Sequence, residues 1–163
     1  MTKSRPSKPY KAPRKLYFPP LLQFLLCAIA TYCLAANTLA LAYQSAPIFW
    51  LSIPIALAGL LMVLISVRSF AKEETTVNPI APEKAGRLVT TGPYRFTRNP
   101  MYLGMLLLLV AVALAIQNTT ALGGPLLFMA SITFLQIIPE ERVLKENFGS
   151  AFAAYRRQTR RWL

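Results

Sequence analysis

The sequence predicts an all-α integral membrane protein. It has about four transmembrane helices, both termini in the cytoplasm, a cytoplasmic loop and a C-terminal amphipathic helix. Three observations predict this. The 163 residues are 55% hydrophobic and 15% charged, with a mean hydropathy of +0.42, whereas soluble domains are about a quarter charged. Lys and Arg number 18 against six Asp and Glu, a net charge of +12, and these charges fall into three blocks. The blocks are separated by two charge-free stretches, Leu16–Val67 and Asn99–Pro139. Each is long enough for two apolar helices of about 20 residues and a short turn.

The first block, residues 1–15, holds Lys3, Arg5, Lys8, Lys11, Arg14 and Lys15 with no acid. It reads as a disordered basic tail drawn to anionic lipid. The apolar run that follows is too long for a signal-peptide core and is expected to be retained. The first hairpin covers 16–67, with spans at 17–42 and 48–67 around the break Tyr43-Gln44-Ser45-Ala46-Pro47. Cys27 and Cys33 lie in the first span about 600° of helix apart, so they share no face and form no intrahelical disulfide. The second block, 68–99, is the cytoplasmic loop. The second hairpin covers 100–139, with spans at 100–117 and 121–138 around Gln117-Asn118-Thr119-Thr120. The third block, 140–163, forms the last helix. Each block has six basic residues and both breaks have none, so the positive-inside rule places the blocks in the cytoplasm and the breaks outside.

Several functions are excluded at this stage. The chain has no His, which removes His bases, His metal ligands and Ser/His or Cys/His pairs, and no metal site is expected. No Asp, Glu, Lys or Arg lies within the spans, which argues against a proton-coupled transporter. Basic residues beside apolar spans point to lipid headgroups, so no nucleic-acid partner is expected. Any chemistry must sit at the cytoplasmic rim.

Two segments carry chemical information there. The first runs from Leu88 to Gly104. Gly92-Pro93 marks a turn. Asn99-Pro100 reads as an N-cap and a first helical residue. A helix N-terminus presents free N–H groups and partial positive charge, which suits a carboxylate or phosphate. Arg95 and Arg98 add donors, and Tyr94 and Tyr102 add aromatic surface with a polar tip. The second segment is Pro139 to Gly149. Pro139 is expected to close the fourth span, and Glu140-Glu141 to open the next helix, with Glu141 facing Lys145 at i,i+4. Leu144, Phe148, Phe152 and Tyr155 then form one apolar stripe, with Arg156, Arg157, Arg160 and Arg161 beyond, the pattern of a helix on a membrane surface. Taken alone, each segment also reads as a capped or surface helix with no chemistry. Together they offer anion-binding groups and paired carboxylates on one face, suited to a ligand of mixed charge.

From about Thr75 to Leu163 the chain resembles the membrane-embedded methyltransferases of the isoprenylcysteine carboxyl methyltransferase and phospholipid methyltransferase group. The resemblance rests on Leu88-Val89, Gly92-Pro93-Tyr94, Arg98-Asn99-Pro100-Met101-Tyr102-Leu103-Gly104, and, after a two-span hairpin, Pro139-Glu140-Glu141-Arg142, Leu144, Phe148-Gly149 and Tyr155. It implies methyl transfer from S-adenosylmethionine to a lipophilic acceptor. By the same resemblance Leu88, Val89, Tyr94, Asn99, Pro100, Met101 and Tyr102 line the cofactor pocket and Glu140 closes it, while Arg98 suits the cofactor's carboxylate. Glu140 and Glu141 are the candidate catalytic groups, and Gln136 and Arg142 the candidates on the acceptor side.

Two positions depart from the pattern. Many members have His where this chain has Asn99. Prenylcysteine-specific members place an Arg four residues before the first Glu, where this chain has Gln136, which argues against a prenylcysteine carboxylate as substrate. Methyl transfer from a sulfonium is an in-line displacement that needs alignment and desolvation. An amine or alcohol acceptor also needs a base, for which Glu140, Glu141 or a Tyr are the candidates. The competing expectation is a non-catalytic paralogue acting as a scaffold or lipid-binding subunit. The expected setting is a bacterial inner membrane.

Overall fold

The computed structural model describes residues 18–38, 42, 44–72 and 88–163, the side chains of 70–72 excepted. The basic tail expected at 1–15 and most of the loop beyond Lys72 lie outside them. Five α-helices carry the described residues: α1 (Pro20–Ala36), α2 (Ala46–Lys72), α3 (Pro100–Ile116), α4 (Gly123–Ile132) and α5 (Ile138–Gln158). Short 3-10 turns cover Gly92–Arg95 and Thr119–Leu122, and a π-helical turn, Thr133–Ile137, joins α4 to α5. Among the described residues there is no strand beyond two isolated bridges.

On α1 and α2 the burial pattern is inverted relative to a protein in water. Along α1 the buried positions are Pro20, Gln23, Cys27, Thr31 and Ala35, while Leu21, Leu25, Ile29 and Tyr32 are exposed. On α2, Ser52 and Ser66 are buried and Trp50, Leu57 and Leu61 face outward. Apolar faces of this extent are stable only against lipid or another apolar surface. Ala46–Ser69 and the run Thr119–Gln158 are long and apolar enough to cross a membrane, and Pro20–Ala36 and Pro100–Ile116 are apolar but shorter.

The first helix ends earlier than the sequence reading expects. Instead of continuing to 42, α1 stops at Ala36. Asn37 sends its side-chain amide and its backbone N–H to the Cys33 carbonyl, and the Thr38 hydroxyl bonds the Leu34 carbonyl. Short polar side chains that satisfy last-turn carbonyls end a helix before an apolar run is exhausted. Helix α2 extends to Lys72 rather than stopping at 67.

Helix α3 is the central post: α1, α2 and α4 all pack against it. Its crossing with α2 depends on two glycines. A methyl group added at Gly104 would lie 2.7 Å from the Gly59 carbonyl oxygen and 2.8 Å from a Val63 methyl. Close backbone approach through small residues is the usual way apolar helices pack without a hydrophobic drive between them. At the far end Gln117 adopts a left-handed conformation, φ 57, and its side-chain oxygen accepts from Ser45 N–H at 2.6 Å. The Asn118 amide bonds the carbonyls of Ala35 and Thr38 at 3.1 and 2.9 Å. The two connections are thereby tied together.

The helix does not break at Pro139. Proline lacks an N–H, and its ring clashes with the carbonyl four residues earlier, here Leu135. That carbonyl lies inside the π turn, where the backbone widens and Ile138 N–H bonds the Thr133 carbonyl five residues back. The chain thus absorbs Pro139 by locally adding a residue to the turn. It bends instead at Gly149, φ 49 and ψ −116. The stripe expected on α5 is accordingly split: Phe152 and Tyr155 are buried beyond the bend, while Leu144 and Phe148 are half-buried before it.

Replacing Gly104 by Leu should force α2 and α3 apart and destabilise the protein by about 1–3 kcal/mol, as overpacked sites do. The check is thermal unfolding in detergent followed by helical circular dichroism. A melting temperature equal to the parent's would contradict the close crossing.

Candidate active site

The site forms where the start of α3 meets the start of α5. Pro100 opens α3 and is buried. Asn99 precedes it with φ −129 and ψ 54, and its carbonyl accepts the Leu103 N–H at 2.9 Å. Its side chain does not cap the helix, contrary to the sequence reading. The Asn99 amide donates to the Arg161 carbonyl at 2.9 Å, and its backbone N–H goes to the Thr97 hydroxyl at 3.2 Å. A carbonyl from the chain end has drawn the side chain away from the helix axis.

The two glutamates are neighbours with opposite partners. Glu140 Oε1 accepts from the Tyr102 hydroxyl at 2.8 Å and from the Gln136 amide at 2.6 Å. Glu140 Oε2 has no hydrogen-bond partner among the described residues. Gln136 reaches Glu140 from the π turn, one helical turn earlier. Tyr94, in the 3-10 turn, is buried and close enough to Glu140 for the carboxylate charge to oppose ionisation of its phenol. Burial raises the Glu140 carboxyl to about 7, and the bonds from Gln136 and Tyr102 oppose that rise only in part. Burial likewise pushes the Tyr94 phenol upward, and the Tyr155 phenol to about 12. Both stay protonated as donors, and the Tyr155 hydroxyl bonds the Tyr94 carbonyl at 2.7 Å.

Glu141 is committed to cations. Its Oε1 accepts from Arg98 at 2.7 Å and from Arg161 Nε at 3.1 Å, and its Oε2 from Arg161 at 2.8 Å. Burial alone would raise its carboxyl, but the bonds and charges of Arg161 and Arg98 outweigh that and hold it below the ordinary carboxylate range. The expected Glu141–Lys145 pair is not formed, because two guanidinium groups reach the carboxylate first. The Arg98 side chain is 9% exposed, it also bonds the Thr159 carbonyl, and its Nε is buried with no partner among the described residues.

Most of the site residues named from sequence meet here. Tyr94, Tyr102, Gln136 and Glu140 form one cluster, and Arg98, Asn99 and Glu141 another, with Pro100 and Met101 between them at the head of α3. Val89 is buried and Leu88 half-buried on the segment leading to the 3-10 turn. Arg142 is exposed and makes no hydrogen bond or ion pair among the described residues. Sequence reasoning missed Arg161, Thr97 and Thr159. By sequence Arg161 is indistinguishable from Arg156, Arg157 and Arg160, so no signal there marks it out.

Comparison with known proteins adds a family. The family model for phospholipid methyltransferases matches residues 47–151, roughly two-thirds of the chain. A protein of Haemophilus influenzae described as uncharacterized is 40% identical over 63 residues, which is 39% of this chain and 100% of that protein. No solved structure matches the chain.

Because the folded-state pKa of Glu140 is raised, its ionisation costs more in the fold than in the unfolded chain. Stability should fall as pH rises from the ordinary carboxylate range, 4.5, to about 7. Glu140→Gln should remove that slope. Melting temperatures of parent and variant measured between about pH 5 and pH 8 check this, and parallel curves would show that Glu140 titrates normally.

Proposed function

The chain belongs to the phospholipid methyltransferase family, and from that premise we propose that it transfers a methyl group from S-adenosylmethionine to a lipophilic acceptor at the cytoplasmic rim of a membrane. The observation that carries the reading is Glu140. Tyr102 and Gln136 hold one of its oxygens, the other has no partner among the described residues, and the carboxylate stands in the first turn of α5, 38 residues after Tyr102 in sequence.

The residues present fit a donor of mixed charge. The uncommitted Glu140 oxygen suits an ammonium, a ribose hydroxyl or the sulfonium. Met101 and Tyr102 lie in the first turn of α3, where backbone N–H groups lack helical acceptors and favour a carboxylate. The buried Arg98 Nε is a further unsatisfied donor at the same end. When bound, S-adenosylmethionine supplies an electrophilic methyl group. The protein's own contribution is to orient, to exclude water and to place a carboxyl whose raised pKa near 7 suits it to take a proton from an amine or alcohol. Leu88, Val89 and Tyr94 are assigned to the wall of the donor pocket, and Gln136 to the acceptor side, where it also orients Glu140. An acceptor headgroup, carboxylate or amine, would meet the donor at this rim while its chain stays in lipid.

In the proposed topology four spans place both termini and the 68–99 loop in the cytoplasm, where the Lys and Arg residues concentrate. A bacterial inner membrane fits that arrangement.

Calorimetric titration of S-adenosylmethionine into the detergent-purified protein should give saturable binding, weakened about tenfold or more in Glu140→Ala. A folded parent that binds nothing, even with lipid extract present, would overturn the reading.

A further inference from the structure

The adjacent glutamates do different work, and the difference comes from the end of the chain. After α5 the backbone turns extended at Thr159, φ −128 and ψ 130, and runs parallel beside Thr97. Three successive carbonyls then accept from the segment that leads into α3. The Thr159 carbonyl takes the Arg98 guanidinium, the Arg160 carbonyl the Arg98 N–H at 2.9 Å, and the Arg161 carbonyl the Thr97 hydroxyl at 3.1 Å and the Asn99 amide at 2.9 Å. The Arg161 side chain turns back to grip Glu141 through two nitrogens. Trp162 packs on the core cluster that contains Tyr102 and Phe128.

We propose that Thr159–Trp162 is a strap that organises the donor site, and that Arg161 and Glu141 are positioning residues that aim Glu140 and hold the Asn99–Pro100 helix start. The inference rests on the methyltransferase reading and deepens it. Glu141 is unsuited to bind a ligand directly, since both its oxygens are occupied by guanidinium donors. It is well suited to fix rotation. Helix α5 begins directly after a π turn, whose hydrogen bonding is looser than that of an α-helix, so helical register alone does not set the direction of Glu140. A carboxylate one residue later, held by one arginine from the α3 side and one from the strap, does set it. Charge-assisted bidentate pairs carry both the energy and the planarity for that task. The same two arginines leave one net positive charge beside the helix start, which favours an anionic ligand group.

The test uses the full chain in detergent with Arg161→Ala, Arg161→Lys, Glu141→Gln and the Arg161→Ala/Glu141→Gln double variant. The readouts are S-adenosylmethionine affinity, the pH midpoint of that binding, and amide exchange across Thr97–Leu103. Arg161→Ala should weaken binding about tenfold or more, move the pH midpoint, and speed exchange at Arg98. Arg161→Lys, which keeps the charge but not the fork, should recover part of the affinity and the parental midpoint. The double variant should be no weaker than the worse single one, as expected for residues acting as one unit. Parental affinity and exchange in Arg161→Ala would overturn the proposal. So would additive losses, or a Glu141→Gln variant that binds weakly with unchanged exchange, which would mark Glu141 as a direct ligand. A folded parent that binds no donor would sink the methyltransferase reading instead. The strap would then stand or fall on whether Arg161→Ala speeds exchange at Arg98.

Discussion

Helices α1, α3 and α4 carry no charged side chain, and in such helices each polar group must find its partner within the protein, because lipid offers none. Much of the structure follows from that constraint. Thr31, Ser52, Ser66 and Thr133 bond carbonyls three or four residues back in their own helices. Asn118 and Gln117 knit the two connections together at one end. The described ion pairs lie at the other end, where Glu141 at the start of α5 meets Arg98 before α3 and Arg161 after α5. The described helices are therefore apolar along their middle and polar at two separate ends, and among the described residues one of those ends carries the charge pairs.

That charged end divides into two electrostatic environments within a few residues. Glu141 lies between guanidinium groups and stays ionised. Glu140 lies among neutral donors, and burial raises its carboxyl toward neutrality at about 7. Two carboxylates adjacent in sequence thus acquire opposite ionisation behaviour from their surroundings alone. Phospholipid methyltransferase membership is consistent with this division but does not dictate it.

Much of this was legible in the sequence. The three charge blocks separate the apolar elements, Gly92-Pro93 and Asn99-Pro100 mark the turn and the helix start, and Glu140-Glu141 stand out as acids between an apolar run and a basic end. What escaped has specific physical reasons. The early end of α1 depends on Asn37 and Thr38 choosing helical carbonyls over solvent, a local competition that hydropathy does not register. The partners of Glu141 lie 43 and 20 residues away in sequence, whereas i,i+4 spacing pointed to Lys145. Asn99 looked like a cap by residue type and position, yet a carbonyl from the chain's end offered its side chain a better partner. Pro139 looked like a terminator, and the chain passes it by widening rather than stopping.

The π turn that lets the chain pass Pro139 also uncouples two demands that a regular helix would tie together. Each residue of an α-helix advances the next by about 100°. With ordinary winding, the face α4 turns toward α1 and α3 would dictate where Glu140 points. One extra residue in the turn at Thr133–Ile137 resets that angle. The upper part of the helix is free to follow the shape of its neighbours, and the lower part to follow the chemistry. Sequence drift in the apolar half can therefore accumulate without rotating the carboxylates.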